Sequence, residues 1–421
     1  MKSYQKFALV VLCLITLVVG NCTTPSNRNA DPSHASQQFY TNPQATGAGA
    51  DFPAFSNNPE SSISLDEPLD MPKQIALLLP LQGAYKNSAI AIRDGYLSSF
   101  YAAQNRFISP SSIRIYDTTS TKDAYALYNQ AVKDGADFVV GPLTKEDVIQ
   151  LAQSSYNNLP TPVLALNQSP EVHPVAGLYQ FALSPEGEAR LMAMRAFADG
   201  RRRAIIVVPD NSWGKRIANA FATTFEKQGA KVVKTSFVDP AKDQATAIRT
   251  LLNIDQSQAR GLEIKKLLKE KVEFQPRRRQ DIDVVILAAP PEQARQLRPL
   301  FDFYFAENLP IYANSSIYSG TPNPQKDRDM NGIIFCDMPW LFSKNSNAHN
   351  VLKQNGINAI NLRLYAMGMD AFLLTAHLKQ LQASPQSGIR GATGTLYLRS
   401  QNQIERQLSW AKMRNGVPEP L

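Results

Sequence analysis

Three short stretches carry the residue types of nucleophilic acyl transfer. Ser212-Trp213-Gly214-Lys215 sets a hydroxyl and an amine three residues apart, Lys234-Thr235-Ser236 approximates Lys-Thr-Gly, and Ser343-Lys344-Asn345 supplies Ser-x-Asn. One class of serine acyl-enzyme uses these elements, with a lysine beside the attacking serine. Here their order along the chain is wrong, Ser236 stands where glycine is required, and the flanking pattern is that of alternating strands and helices. A motif of this kind carries meaning only in its structural context, so Ser212 is expected to be a helix N-cap instead. The four histidines, His34, His173, His349 and His377, are scattered and lack metal-ligand spacing. No glycine-rich phosphate loop is present. No catalytic residue, metal or cofactor is expected, and the chain reads as a non-enzyme. Of three cysteines, Cys13 lies in an apolar N-terminal run and Cys22 just after it, leaving Cys336 without a partner for a disulfide framework. Within Ile333-Ile334-Phe335-Cys336 it reads as a small buried hydrophobe.

Binding chemistry is better represented. Between Ala259 and Arg279, the cations Lys265, Lys266, Lys269, Lys271, Arg277, Arg278 and Arg279 outnumber Glu263, Glu270 and Glu273. This stretch is longer than a simple crossover needs. It is either a solvated helix face laced with intrahelical pairs or a partner-binding insertion. We take Lys265, Lys266, Lys269, Arg277, Arg278 and Arg279 as a candidate partner surface. The whole chain is +8; residues 1–21 contribute +2 and residues 22–72 contribute −5, leaving +11 on residues 73–421. Such a balance suits an anionic neighbour, whether lipid headgroups, the wall or an acidic protein face, with general solubility as the plainer reading. No nucleic-acid motif accompanies the charge, and nucleic acid is not an expected partner.

The N-terminus sets the compartment. Lys2 and Lys6 precede the apolar run Phe7 to Gly20, a basic start and short core that read as a signal peptide over residues 1–21. The run falls short of the ~20 residues of a spanning helix, which makes an uncleaved anchor the weaker alternative. Val19-Gly20-Asn21-Cys22 resembles a lipobox, with Asn21 where that pattern prefers Gly or Ala, and ordinary cleavage nearby is the other alternative. The resemblance implies acylation of Cys22, and Thr23 after it implies sorting to the outer membrane. Residues 22–72 are then a lipidated N-terminus and a Pro-, Ser-, Asn- and Gly-rich linker with no apolar period, too polar to offset ordering entropy. As a flexible coil of ~50 residues it would span roughly 40 Å, and at most ~180 Å fully extended.

Residues 73–421 alternate buried-strand and helical patterns. Apolar runs at Ile75–Leu79, Ile113–Tyr116, Phe138–Val140 and Pro162–Leu166 are separated by helical spacing, with Ile90, Gly95, Leu97 and Tyr101 among the inward positions of the first helix. The pattern restarts at Ala204–Val208, Val232–Phe237, Val284–Ala288 and Pro310–Ala313. Continuous apolar strands between helices predict parallel sheets covered on both faces. Two series predict two doubly wound Rossmann-like lobes with a cleft, lobe 1 over about 73–183 and 316–385 and lobe 2 over about 184–315 and 386–421. Gly394–Leu398 and Gln403–Arg406, flanking Ser400–Asn402, predict a hairpin. Ligands in such sheets bind beyond the strand C-termini. Gln82, Thr144, Asn167, Asn211, Ser315, Ser316 and Tyr318 are the candidate cleft residues, with the capping of turns and helices as the equally good plain reading.

Several segments together are similar to one known family. They are Gly141-Pro142-Leu143-Thr144-Lys145-Glu146, Tyr312 to Gly320, Asn331 to Trp340 with its Phe335-Cys336-Asp337-Met338-Pro339-Trp340, Gly391 to Leu396, and Trp410-Ala411-Lys412. They resemble the LppC/LpoA family of outer-membrane lipoprotein activators of class A penicillin-binding proteins, from about Gln74 to Pro418. The resemblance implies a type I periplasmic-binding-protein-like fold. It also implies a periplasm-facing lipoprotein whose partner is a class A penicillin-binding protein, with peptidoglycan as a further candidate partner, and whose role is to regulate crosslinking. Larger members carry an N-terminal helical-repeat domain where this sequence has the short linker. The alternative is a periplasmic solute receptor for an amino acid or other small ligand, because fold alone does not fix function.

Overall fold

Alternate residues of one strand feed opposite cores, which is how a sheet buried on both faces is built. In β1 (Gln74–Leu79), Ile75, Leu77 and Leu79 enter one apolar cluster while Ala76 and Leu78 enter another. The computed structural model describes residues 67–121, 123–239, 241–268, 273–343 and 359–421. Expectations for the signal peptide, Cys22, the linker up to residue 66, His34, His349, Lys269, Lys271, Lys344 and Asn345 lie outside the described residues.

Around β1 stand β2 (Ser112–Asp117), β3 (Phe138–Val140), β4 (Asn158–Ala165) and β5 (Ala176–Phe181), parallel and in the order β2-β1-β3-β4-β5. Among the helices linking them are α1 (Lys86–Ala103), α2 (Ala124–Lys133) and α3 (Lys145–Ser154). After α4 (Pro185–Ala198) the plan repeats. β6 (Arg203–Pro209), β7 (Lys231–Val238), β8 (Val284–Leu287), β9 (Ile311–Ala313) and β10 (Ile334–Asp337) lie in the order β7-β6-β8-β9-β10, again parallel. Their helices are α5 (Ser212–Lys227), α6 (Gln244–Leu251), α7 (Ile254–Leu268) and α8 (Pro291–Phe303). A short helix, α9 (Pro339–Phe342), follows β10, and the long helix α10 (Ala359–Ala383) comes next among the described residues.

The chain ends by extending both sheets. β11 (Ile389–Arg390), β12 (Thr395–Arg399) and β13 (Gln403–Gln407) join the first sheet, with β13 parallel to β5. β14 (Ser409–Arg414) and β15 (Val417–Pro420) join the second, with β14 antiparallel to β10. The two expected doubly wound lobes are present, and the β12–β13 hairpin forms where its turn residues predict, with Gln401 and Asn402 in the left-handed region.

Sheet membership corrects the lobe boundaries. Residues 316–337 belong with lobe 2, because β10 pairs with β9, and residues 389–407 belong with lobe 1, because β13 pairs with β5. Connections that cross back and forth are invisible to periodicity, which reports strands and not their neighbours. The inward face of α1 is also corrected. It is Ala89, Ile92, Gly95, Tyr96 and Phe100, while Leu97 is half-buried and Tyr101 is exposed.

Helix α10 binds the lobes together. Leu362, Tyr365 and Ala366 near its start sit in a core of lobe 2, while Met367, Ala371, Phe372 and Leu374 sit in a core of lobe 1. Two glycines let it touch α1 backbone to backbone. A Cβ on Gly95 would meet the Tyr365 carbonyl oxygen at 2.0 Å, and a Cβ on Gly368 would meet that of Ile92 at 2.0 Å.

Candidate functional site

In an open sheet of order 2-1-3-4-5, the crevice lies where the strand order reverses, beyond the strand C-termini. In lobe 2 that place is a cavity of about 340 Å³ lined by Asp210, Asn211, Trp213, Asp239, Gln293 and Ser316, among others. Only Asn211 and Ser316 of the seven candidate cleft residues line it. Asn211, not Ser212, is the N-cap of α5, its Oδ1 accepting from the Gly214 N–H at 2.8 Å. The N-cap expected at Ser212 therefore moves back one residue. Ser212 is exposed in the first turn, and Lys215 pairs with Asp210 at 3.6 Å. Ser236 is held in β7 opposite Val207, and the Lys215 ammonium lies 5.9 Å from the ring of Phe237 beside it.

The other cleft candidates also hold structure. Gln82 Nε2 donates to Asp117 Oδ2 at 3.2 Å, Thr144 caps α3 by accepting from the Asp147 N–H, and Asn167 Nδ2 donates to the Leu143 carbonyl. Ser316 Oγ donates to the Ala289 carbonyl and lies 2.6 Å from Asn314 Oδ1. Ser315 donates its hydroxyl to Glu188 in a buried polar cluster at the lobe junction, while the Tyr318 ring packs against Phe335 and Phe342 in the lobe 2 core and only its carbonyl reaches that cluster.

That cluster is the main feature the residue types did not disclose. Arg363, on α10, grips Asp337 at the end of β10 with Nε and Nη2 at 3.1 and 2.5 Å, and Nη2 also donates to the Ser315 and Tyr318 carbonyls. Glu188 on α4 accepts from the Ser315 N–H and hydroxyl. Arg406, on β13, lies 3.9 Å from Glu188 and donates to the Ala182 carbonyl where the chain crosses between lobes. Asp370, on α10, accepts from the Ala392 and Thr393 N–H groups and the Thr393 hydroxyl. All five charged residues are buried. Burial pushes the Asp370 carboxyl up to about 6, against its three donors. Burial likewise raises Glu188, with Arg406 pulling the other way. It also raises the Cys336 thiol, so the free, buried cysteine is held as a neutral hydrophobe. The sequence signal for this cluster is an acid inside an apolar run: Asp370 in Met367-Gly368-Met369-Asp370-Ala371-Phe372, and Asp337 after Phe335-Cys336.

The basic stretch divides. Lys265, Arg277, Arg278 and Arg279 line a groove of about 1010 Å³ between α7 and the returning segment 273–280, together with Arg260, Glu273 and Phe274. Lys266 is exposed but does not line it. Arg260 was outside the candidate set; only the fold shows that it shares the groove with Lys265. Arg279 is engaged by Asp281 at 2.7 Å through two nitrogens. Among the described residues Arg260 and Lys265 on α7 make no intrahelical ion pair, and Arg277 and Arg278, which lie beyond the helix, meet no carboxylate. His173 is exposed, whereas His377 is buried with Nδ1 2.5 Å from Gln380 Oε1, and burial lowers its pKa. No described helix is long and apolar enough to cross a membrane.

Two doubly wound lobes of like strand order, a crevice at a switch point and repeated crossings between lobes define a periplasmic-binding-protein-like protein. A structure from Chromobacterium violaceum, described as a "putative branched-chain amino acid ABC transporter", shares that fold at a TM-score of 0.61 and 26% identity, over 81% of this chain and all of its own. A family model described as "LppC putative lipoprotein" matches residues 64–416, and the chain belongs to that family. The penicillin-binding protein activator LpoA of Vibrio vulnificus is 30% identical over 355 residues, 82% of this chain and 58% of its own. The chain spans about three-fifths of the length of such curated relatives. The LpoA C-domain of Haemophilus influenzae, described as a regulator of PBP1A, superposes at a TM-score of 0.67 with 25% identity, covering 83% of this chain and all of that domain.

Proposed function

We propose that this chain is a lipid-anchored, periplasm-facing activator at the outer membrane that binds a class A penicillin-binding protein and raises peptidoglycan crosslinking without catalysis of its own. The observation that carries the reading is the match of the whole LpoA C-domain, the domain of a PBP1A regulator, to this chain's two lobes. The site geometry is in accord. Most cleft candidates are engaged within the fold. Cys22 is the proposed acylation site and residues 23–66 the tether; residues 67–72, read from composition as linker, instead join the first lobe, where Leu69 and Met71 are buried in its core and Leu69 exchanges backbone hydrogen bonds with Arg106 and Ile108.

The test is affinity capture of the mature chain with purified class A synthases in detergent. Retention of a synthase supports the reading, and the absence of binding to each such synthase of the same cell overturns it. Replacing Cys22 with alanine should release the protein from the membrane fraction; continued membrane association without acyl labelling would remove the anchor.

One observation favours a second reading, a small-ligand receptor. The lobe 2 cavity is lined by Trp213, by Asp210 and Asp239, and by Gln293, whose buried Oε1 has no hydrogen-bond partner among the described residues. Calorimetry with an amino-acid panel separates the two, since a receptor binds one of them in the micromolar range.

A further inference from the structure

We infer that the groove between α7 and residues 273–280 is a docking site for an extended, acidic segment of a protein partner; the inference rests on the activator reading in taking that partner to be a synthase. Gly261 shapes the groove. A Cβ there would sit 2.4 Å from the Phe274 ring, so glycine lets the aromatic lie against the helix as an apolar floor, still 39% exposed. The returning segment is tied to α7 and the turn before it, where the Arg277 N–H donates to Ser257 Oγ at 3.0 Å and the Arg279 N–H to the Leu252 carbonyl at 2.9 Å. Its cations are therefore presented from an anchored backbone.

Arg260, Lys265, Arg277 and Arg278 converge on this trough, where among the described residues lining it Glu273 is the single carboxylate. Among the described residues none of the four is paired with a carboxylate, whereas Arg279 beside them is. Uncompensated guanidinium groups around an apolar floor recognise carboxylates carried on a chain with some apolar side chains. The same helix exposes Leu267 at 80% and Leu268 at 55%, which extends the apolar contact along its end. A trough of about 1010 Å³ has room for a chain segment laid along the Phe274 floor, and the vesicle arm of the test below separates that occupant from an anionic membrane.

The test compares the mature chain, the variant Arg260→Glu/Arg277→Glu/Arg278→Glu, and a charge-matched control, Lys133→Glu/Lys227→Glu/Lys326→Glu. The milder variant Arg277→Gln/Arg278→Gln guards against misfolding, with thermal unfolding run on all four. Binding is measured to the purified synthase, to an oligo-glutamate peptide and to phosphatidylglycerol vesicles. The groove variant should lose about tenfold or more in synthase affinity and most of its salt dependence, with the control unchanged. The glutamine variant should fall between. Equal loss in groove variant and control, or no loss in either, overturns the groove while leaving the activator reading in place. If no variant, wild type included, binds a synthase, the activator reading fails. Groove-dependent binding of the peptide then still supports the acidic-segment site, and its absence overturns it. Groove-dependent vesicle binding without peptide binding assigns the surface to lipid and overturns the proposal.

Discussion

The lobe junction and the α7 groove both gather arginines, and they use them in opposite ways. At the junction, Arg363 is buried against Asp337 and two carbonyls, and Arg406 against Glu188 and the Ala182 carbonyl. In the groove, Arg260 and Arg277 are exposed, and neither meets a carboxylate among the described residues. Buried charges must be paired where they stand, because desolvation is costly, and their removal is therefore a matter of folding. Exposed charges crowded together repel one another, and their removal is a matter of recognition. The first region fixes how two lobes meet, and the second faces outward from one lobe.

The largest effect should come from the contact that holds α10 against α1. Gly368→Leu drives a side chain into the Ile92 carbonyl and should cost about 4 kcal/mol or more, or abolish folding, as read by denaturant unfolding. Next is the junction itself. Asp337→Ala leaves the Arg363 guanidinium buried without its carboxylate and should cost about 3–5 kcal/mol, whereas Asp337→Leu/Arg363→Met should recover much of that loss. A double variant no better than the single would show that the pair does more than compensate itself.

Asp370 gives the junction a pH signature. Its folded-state pKa is raised from 3.8 to about 6, so the folded chain favours the protonated carboxyl. That contribution is fully present below pH 3.8 and lost as pH rises through about 6. Relative to Asp370→Asn, the wild type should lose about 3 kcal/mol across that window. A difference that stays flat with pH would mean that the carboxylate remains ionised in place. Ser315→Ala should cost about 1–3 kcal/mol by stripping Glu188 of its hydroxyl donor. At the far end, Lys266→Ala should change stability by less than about 0.5 kcal/mol. Since it lies off the groove, it should also leave partner affinity unchanged, unlike replacement of Arg277.

What could be read from the sequence divides along the same line. Buried parallel strands announce themselves as unbroken apolar runs, so both βα series and the terminal hairpin were legible. The exchange of strands between lobes was not, because β10 and β13 take their partners from distant segments. Basic residues are countable along the chain, but only the fold separates Lys265, which lines the groove, from Lys266, which does not. The cleft candidates sat at strand ends as expected, yet turns and helix starts need polar caps there, and capping claimed Thr144 and Asn211. The junction charges were hidden because their partners lie far apart in sequence, as Glu188 and Arg406 do.

Stimulation of a purified class A penicillin-binding protein tests the central claim most directly. Crosslink formation from lipid-linked precursor is measured with and without the mature chain, and the chain alone is incubated with labelled penicillin. The activator account expects faster crosslinking and no label on this chain, with the gain lost in the Arg260→Glu/Arg277→Glu/Arg278→Glu variant. An unchanged crosslinking rate at saturating protein, or stoichiometric acylation of this chain, would contradict it.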